Sequence, residues 1–433
     1  MKHSEPNRVT TLDNGVRVVT ESTPSRVVSV GLWVEVGARD EHDLTNGSSH
    51  FVEHMIFKGT PKRDAHRVSR EFDVMGGAAN AFTATEATCY HATVLADSLP
   101  RLVDLLSDIV FNSSFATQEV ENEREVILQE IAMVEDTPDD LVHDLFNRML
   151  WGRHPLGNSI LGPPRVISAL TPSRLQDFHR RHYIPSRILI SAAGRVEHQA
   201  FCRLWEDALS GLDGCSVDGE DGRGGGAARL ARRTPEYQEP LRQVVYRDLE
   251  QAHLVLGTYG LAESSPHRYA GHLLNTVLGG NMSSRLFQEI REKRGLAYSV
   301  FSYLNANSDS GTLGIYLGID PQSASEAMEL TAKQVRRLGD ERLSDEVLTE
   351  ARDYMRAVIM LAEENMEARM SRLARNVITF GRPIPLEEIL ADLERVSADD
   401  IRQLAAEIFR KPLSALALGP LDDELLEWDL LDK

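Results

Sequence analysis

Residues 166–194 read VISALTPSRLQDFHRRHYIPSRILISAAG, and residues 393–419 read LERVSADDIRQLAAEIFRKPLSALALG. In both stretches, a hydroxyl residue suited to a helix N-cap comes before a helical pattern of apolar residues. An aromatic residue and a proline follow, and a short apolar strand then ends in Gly194 or Gly419. The two stretches lie about 225 residues apart, roughly half the chain. This spacing favours an internal duplication.

A second pair of segments supports the duplication. Residues 91–96 read as a strand that ends at Asp97, and the alternating apolar residues of 313–319 end at Asp320. Alternation followed by an Asp is typical of a strand that leads into a capped helix. Any two α/β segments share some of this likeness. The matched elements keep the same order and spacing in both halves, however, which favours duplication over chance.

Periodicity in the first half predicts both strands and helices. The predicted strands cover residues 28–36 and 82–95, and the predicted helices cover residues 48–58, 98–111, 117–135 and 172–182. Because these elements do not alternate regularly, a doubly wound sheet is not favoured. We predict an α+β fold of two tandem homologous domains, each a mixed or antiparallel β-sheet with helices packed on it.

A glycine-rich, charged segment at residues 213–232 separates the two halves. Its composition is typical of a flexible linker. We therefore expect an N-terminal domain at residues 1–212 and a C-terminal domain at residues 233–433.

The chain is acidic. Among its 433 residues, 47 Lys and Arg stand against 66 Asp and Glu, a net charge of −19. Nucleic-acid binding depends largely on Lys and Arg, so it is not expected here. The N-terminus lacks the apolar run of a signal peptide, and no apolar stretch approaches the roughly 20 residues of a membrane helix. The three cysteines form no CxxC pair. We expect a cytoplasmic protein that does not bind membranes.

The segment HFVEH, residues 50–54, carries the strongest chemical signal. On a helix, His50 and His54 project from the same face and can hold one Zn²⁺. Glu53 shares that face and is placed to act as a general base, in the H-x-x-E-H order of inverted zincins. Two exposed histidines with a Glu between them by chance are the alternative, which is uncommon in a chain of this length.

Two histidines require a third protein ligand. The richest acidic stretch downstream is EVENEREVILQEIAMVE, residues 119–135. Glu123 and Glu130 are two helical turns apart there and share a face. Most acidic helices are merely solvated, so the residues alone leave the third ligand open.

With these motifs in place, the sequence resembles the pitrilysin, or insulinase-like, family of peptidases, which includes the mitochondrial processing peptidases. The resemblance covers nearly the whole chain. GSSHFVEHMIFKGT, residues 47–60, looks like the zinc helix of that family, and ENEREVILQEI, residues 121–131, looks like the segment with its third ligand. By this likeness the third ligand is Glu130, and Glu123 supports the site from behind.

The resemblance also implies how substrate binds. Residues 80–83, with Asn80, Ala81 and Phe82, are similar to the edge strand on which the family lays its substrate as an added β-strand. In the second half, SRLFQEIREKRGLAYSV is similar to the segment that anchors substrate, with Arg291 and Tyr298 in the matching positions. An ordinary strand start, a surface Arg and a core Tyr are the alternative.

The function implied is that of an endopeptidase with one Zn²⁺ per chain, which hydrolyses unfolded peptides or presequences in a closed chamber. Larger relatives enclose substrate between two such halves, so a homodimer is expected, with Arg291 and Tyr298 acting on the site of the partner. The second half has no H-x-x-E-H and places Asn275 near the position of a ligand or base. The alternatives are an inactive subunit, a subunit that needs a hetero-dimer, and a zinc-binding protein without catalysis.

Overall fold

The computed structural model describes residues 7–212, 232, 235–422 and 426–431. Apart from Arg232, the predicted linker lies outside the described residues. The chain forms two compact units. Unit 1 comprises Met1–Ile131, Asn158–Arg233 and Leu361–Pro385, and unit 2 comprises Ala132–Gly157, Thr234–Met360 and Leu386–Lys433.

Unit 1 contains a six-stranded sheet, and unit 2 contains a five-stranded one. The strands of unit 1 are β1 (Arg8–Thr11), β2 (Arg17–Ser22), β3 (Val27–Val34), β4 (Ala78–Thr83), β5 (Thr88–Leu95) and β6 (Ile188–Gly194). Those of unit 2 are β7 (Arg242–Tyr246), β8 (Ala252–Gly260), β9 (Ala297–Ala306), β10 (Gly311–Ile319) and β11 (Ser414–Gly419).

The two sheets repeat one topology. The order β1-β2-β6-β3-β5-β4 of unit 1 contains the order β7-β11-β8-β10-β9 of unit 2. In each sheet one pair, β2 with β6 or β7 with β11, is parallel, and the next three pairs are antiparallel. The matched strands β6 and β11 both end in a glycine with positive φ. The predicted fold class is therefore confirmed.

Amphipathic helices cover the inner face of each sheet. The helices that begin in unit 1 are α1 (Ser48–Ile56), α2 (Ala65–Val74), α3 (Leu99–Phe111), α4 (Thr117–Glu135), α6 (Pro164–Ile167), α7 (Pro172–His182), α8 (His198–Ala208) and α12 (Met366–Phe380). Those that begin in unit 2 are α5 (Pro138–Trp151), α9 (Arg268–Leu278), α10 (Ala324–Asp340), α11 (Asp345–Ala362), α13 (Leu386–Arg395) and α14 (Ala398–Ile408). Strand residues that alternate toward these helices form the main core of each unit.

The outer face of each sheet is covered by a helix from the other half of the sequence. In unit 1, α12 packs its Met370 over Gly31 of β3, where a Cβ atom would collide with the Met370 sulfur. In unit 2, α5 packs Phe146 over Gly257 of β8, where a Cβ atom would lie 2.9 Å from the Phe146 ring. Glycine thus admits a large side chain at the centre of each sheet.

Three details differ from the sequence expectations or extend them. The single strand predicted at residues 82–95 is wrong: β4 and β5 form a hairpin, closed at its turn by a hydrogen bond from the Ala84 N–H to the Ala87 carbonyl. The compact units differ from a division at the linker in two segments, 132–157 and 361–385, because α5 and α12 bury their apolar faces on the sheets just described. The acidic C-terminal segment packs Leu421, Leu426 and Leu431 into the core of unit 2.

Candidate metal centre

Helix α1 presents three polar side chains, those of His50, Glu53 and His54, on one face. Its buried residues Phe51, Val52, Met55 and Ile56 hold the helix against the core of unit 1. His50 and His54 therefore project together from the opposite side, with their ring centroids 4.6 Å apart. Gly59, with φ near 113°, follows the helix and turns the chain away. The predicted metal helix thus has the geometry that its spacing requires.

Helix α4 brings Glu130 to the two imidazoles. Its Oε2 atom lies 3.7 Å from Nε2 of His50 and 3.6 Å from Nε2 of His54. The three ligand atoms all lie within 4.8 Å of one another. At a zinc–ligand distance near 2.1 Å, the ligands of a tetrahedral ion stand about 3.4 Å apart. The three ligand atoms therefore lie near the spacing of a tetrahedral zinc site, and the residues present fit a zinc ion.

Glu123 lies behind His54. Its Oε2 atom is 2.9 Å from Nδ1 of His54, and its Oε1 atom is 2.6 Å from the ammonium group of Lys58. A carboxylate at Nδ1 favours the tautomer that carries its proton there, which leaves the Nε2 lone pair for a metal. The structure thus places Glu123 in the supporting position that the resemblance implies, and it adds Lys58 to the chain of contacts.

The electrostatics of the two histidines differ. Burial, together with the charge of His54, lowers the pKa of His50 to about 3, so this imidazole is neutral. Burial also lowers the pKa of His54, but the hydrogen bond that its Nδ1–H donates to Glu123 and the charges of Glu130, Glu123 and Glu53 outweigh it and raise that pKa above its usual value. A cation between the rings would replace the proton that these carboxylates attract.

Glu53 is held beside the ligands by strand β4. The Thr83 hydroxyl donates a hydrogen bond to its Oε2 atom at 2.6 Å. Burial raises the pKa of Glu53, while this hydrogen bond and the His54 charge oppose the rise. A carboxylate with a raised pKa is a stronger base than one in water, and its position is fixed. The arrangement suits proton transfer next to a bound metal.

Strand β4 forms the outer edge of its sheet. It pairs only with β5 among the strands of unit 1, from Ala78 opposite Thr93 to Thr83 opposite Thr88. Its side chains alternate between exposed and half-buried positions, and exposed Phe82 packs edge-on against Trp33. The Asn80 side chain accepts a hydrogen bond from the Ala81 N–H at 2.9 Å. An edge of this kind can accept an added strand.

In unit 2, Arg291 and Tyr298 lie close together. Arg291 lies in a π-helical turn at Phe287–Glu292, and its guanidinium carbon lies 4.9 Å from the centre of the Phe287 ring and 5.7 Å from that of Tyr298. Tyr298 is the second residue of the edge strand β9 and is 77% exposed. The alternative of a core tyrosine is therefore wrong, while the substrate-anchoring role stays a prediction.

Sequence reasoning missed two residues of the site. The N-cap of α1 is Gly47, which has no side chain to cap the first turn. The first turn is instead capped by Glu41, which accepts hydrogen bonds from the N–H groups of Gly47 and Ser49. Sequence reasoning also missed that Thr83 fixes the proposed base. No local sequence pattern predicts either contact, because Glu41 lies 6 residues from Gly47 and Thr83 lies 30 residues from Glu53.

The fold and the ligand set define a two-domain α+β protein with a helix-borne pair of histidines and one glutamate, the donor set of many zinc hydrolases. Residues 17–164 match the family described as insulinase, peptidase family M16, and residues 169–355 match the family described as the peptidase M16 inactive domain. A protein of Streptomyces coelicolor named as an uncharacterized zinc protease is 38% identical over 418 residues, 96% of this chain and 90% of its own.

The uncharacterized zinc protease YmxG of Bacillus subtilis is 36% identical over 412 residues, 95% of this chain and 97% of its own. The chain therefore belongs to the insulinase, or pitrilysin, family of peptidases, and the resemblance drawn from the motifs is confirmed.

Two solved structures show the same fold. A protease from Helicobacter pylori superposes with a TM-score of 0.86 at 21% identity, covering 96% of this chain and 100% of that one. A peptidase M16 inactive domain from Pseudomonas fluorescens superposes with a TM-score of 0.84 at 16% identity, covering 96% of this chain and 98% of that one. Among the described residues, every helix is too short or too polar to cross a membrane.

Proposed function

We propose that this protein is a zinc-dependent endopeptidase that hydrolyses unfolded peptides, with one Zn²⁺ held by His50, His54 and Glu130. The observation that carries the proposal is the convergence of these three ligand atoms beside Glu53. Relatives at 36–38% identity over nearly the whole chain bear the name zinc protease, which agrees with the same chemistry. Because membership of a family does not by itself establish activity, the proposal depends on the positions of the three ligands and of Glu53.

A zinc ion in such a site supplies Lewis acidity, which lowers the pKa of water and polarises a carbonyl group. Glu53 acts as the general base: it takes the proton from the attacking water and passes it to the leaving amine. Thr83 keeps the Glu53 carboxylate pointed at the reacting atoms through its 2.6 Å hydrogen bond. Glu123 and Lys58 hold the His54 ring in one tautomer and one orientation.

The substrate is an extended peptide that pairs with the edge of β4 at Asn80, Ala81 and Phe82. Three features support this: the strand is at the sheet edge, every second residue of it is exposed, and its last residue, Thr83, bonds to Glu53. Pairing through backbone groups places the peptide bond with little demand on sequence. A folded protein cannot offer such a free strand, so unfolded peptides or presequences are the expected class.

We further propose that the enzyme works as a homodimer, in which Arg291 and Tyr298 complete the site of the partner in a closed chamber. The exposure of Tyr298 and the nearby guanidinium group support a role in holding a peptide carbonyl. Mixing two inactive variants, Glu53→Gln and Tyr298→Phe with Arg291→Ala, tests this. Recovery of about a quarter of the wild-type rate is expected, because half of the dimers are mixed and each has one intact site. No recovery, or full activity in a stable monomer, contradicts it.

The test of the function compares wild type with Glu53→Gln, using metal analysis and a pool of unstructured peptides. Both proteins should bind one zinc per chain, and the variant should cleave slower by roughly a hundred- to ten-thousandfold. Glu125→Gln, at an exposed position of α4 outside the site, is the matched control and should cleave like wild type. Wild type that binds zinc but cleaves nothing points instead to an inactive or hetero-dimer-dependent subunit.

A further inference from the structure

Glu41 is a buried carboxylate ahead of the metal helix. It is only 3% exposed, and three donors surround it. Its Oε2 atom accepts from the Gly47 N–H at 2.7 Å and from the Asn46 side-chain amide at 3.0 Å, and its Oε1 atom accepts from the Ser49 N–H at 2.6 Å. Burying a carboxylate is costly unless such partners compensate for lost water. Burial still raises the pKa of Glu41 to about 7.

Helix α1 cannot cap itself. Its N-cap, Gly47, has a left-handed backbone with φ near 93°. A Cβ atom there would lie 2.5 Å from the Ile167 side chain and 2.7 Å from the Leu161 carbonyl oxygen. A Ser, Thr, Asp or Asn at position 47, the usual helix cap, is therefore excluded. Glu41 supplies the missing acceptor from outside the helix, and the negative charge of its ionised form faces the positive end of the helix dipole.

The frame around Glu41 is itself fixed. The neighbouring Asp40 accepts from the Gly37 N–H at 3.0 Å and from two nitrogens of Arg232 at 2.8 Å each. Asn46 donates a second hydrogen bond to the Ser159 carbonyl at 2.9 Å. Because these neighbours are held by the rest of unit 1, the carboxylate of Glu41 does not move freely with α1. It fixes the first turn of the helix relative to the rest of the unit.

His50 depends on this turn more than His54 does. Glu123 orients the His54 ring through Nδ1, whereas Nδ1 of His50 is buried with no hydrogen-bond partner among the described residues. Metal-binding histidines are normally oriented by a partner on the second nitrogen. For His50 the backbone must do this work, and its immediate neighbour Ser49 is one of the three residues that Glu41 holds.

We propose that Glu41 is a positioning residue of the metal centre, which sets the place of His50 through the first turn of α1. This inference rests on the proposed zinc site. Because Glu41 touches neither the ligands nor the edge strand β4, its action is indirect: it holds the backbone N–H groups of Gly47 and Ser49, and these fix the residue that follows.

The test measures zinc affinity by competition with a chelator in wild type, Glu41→Gln and Glu197→Gln. Glutamine has nearly the size of glutamate, but an amide NH₂ group replaces one of the two acceptor oxygens. At least one of the three donors around position 41 then faces another donor instead of an acceptor. Glu197 caps α8 in the same unit through the N–H groups of Gln199 and Ala200, at 3.0 and 2.6 Å, and is the matched control. We expect zinc affinity to fall about tenfold in Glu41→Gln and to stay at the wild-type value in Glu197→Gln.

Two further measurements keep the proposal falsifiable. The visible spectrum of the cobalt-loaded protein should change in Glu41→Gln but not in Glu197→Gln, since it reports ligand geometry rather than stability. If Glu41→Gln does not fold, Asn46→Ala removes one of the three donors and should lower zinc affinity by a smaller factor. Wild-type affinity and an unchanged cobalt spectrum in a folded Glu41 variant, or in Asn46→Ala, overturn the positioning role alone. Wild type that binds no zinc overturns the site itself.

Discussion

Helix α1 of unit 1 and helix α9 of unit 2 occupy the same place in two copies of one fold, yet only α1 carries a metal-binding set. In unit 1 the Thr83 hydroxyl of the edge strand donates to Glu53 at 2.6 Å. In unit 2 the Ser302 hydroxyl of the edge strand donates to Asn275 at 2.7 Å. The contact between hydroxyl and helix is kept, but the basic carboxylate is replaced by a neutral amide.

The rest of α9 extends the contrast. If Asn275 matches Glu53, then HFVEH matches HLLNT, and Thr276 stands where His54 does. The Thr276 hydroxyl bonds back to the His272 carbonyl of its own helix at 2.9 Å, which turns it away from any neighbour. The Ser302 N–H also donates to the Gly279 carbonyl, so β9 is fastened to the end of α9. The comparison teaches that the fold supplies positions and the side chains supply the chemistry.

The largest difference between the two helices is expected when the matched residues His54 and Thr276 are each changed to alanine. His54→Ala removes a ligand, so zinc affinity should fall by more than the roughly 10–100-fold that loss of an outer partner costs. Thr276→Ala removes only a hydroxyl bonded within its own helix and should bind zinc as wild type does. Zinc analysis after dialysis against a weak chelator measures both. Equal zinc content in the two variants would place the metal elsewhere.

A second comparison separates the ligands from their support. Glu123→Gln keeps the shape of the side chain but loses the charge that orients His54 and pairs with Lys58. Zinc affinity should drop roughly 10–100-fold, with one zinc still bound at saturating metal. Lys58→Met should give a smaller drop in the same direction. If Lys58→Met weakens zinc binding more than Glu123→Gln does, Glu123 is not the residue that chiefly orients His54.

The two units should also differ in their response to acid. His179 on α7 is buried and bonded to the Val110 carbonyl, and Ala405 occupies the matching position on α14. Burial lowers the pKa of His179 to about 4 from 6.5. The folded state favours the neutral ring, so its stabilising effect is complete above pH 6.5 and is lost as pH falls toward 4.

Between pH 7.5 and pH 5, the imidazole of His179 takes up a proton in the unfolded state but not in the folded one, which should remove about 2 kcal/mol from the free energy of unfolding. Denaturant titrations of wild type and His179→Gln at the two pH values measure this. The glutamine can still donate to the Val110 carbonyl but does not titrate. Most of the loss of about 2 kcal/mol that His179 contributes between these pH values should therefore be absent from the variant. His66→Gln, at an exposed position of α2, is the control and should behave as wild type. A His179 variant with unchanged acid sensitivity contradicts the assignment.

The smallest expected effect concerns the Thr83 hydroxyl of the edge strand β4. Thr83→Ala leaves the zinc ligands intact but frees the Glu53 carboxylate, so kcat should fall about tenfold while zinc affinity stays the same. Thr83→Ser, which keeps the donor, should restore most of the rate. A loss of zinc in Thr83→Ala, or a normal kcat, would mean that the hydroxyl does not position the base.

Much of the fold followed from the sequence because its signals are local. The i, i+4 spacing of His50 and His54 and the alternation of β10 are properties of a single element, and each could be read directly. The turn between β4 and β5 was missed because residues 84–87 read ATEA and contain no Gly, Pro, Asn or Asp to mark it. The exchange of α5 and α12 was missed because an amphipathic pattern shows that a helix buries one face, not which sheet it covers.

The site divides in the same way. Its ligand positions could be proposed from motif and resemblance, and the structure brings those atoms together. The contacts that fix them are long-range: Glu41 bonds mainly to backbone N–H groups, which leave no residue signature, and Thr83 meets Glu53 only when β4 folds against α1. The roles of Arg291 and Tyr298 in catalysis stay predictions that the mixing experiment decides.

We expect one zinc ion in unit 1, between α1 and α4. Anomalous diffraction at the zinc edge, from crystals of the zinc-loaded protein, tests it most directly. We expect a single strong peak, roughly 2.0–2.2 Å from Nε2 of His50, Nε2 of His54 and a carboxylate oxygen of Glu130. A peak beside α9, or zinc-loaded crystals with no peak at these three residues, would contradict it.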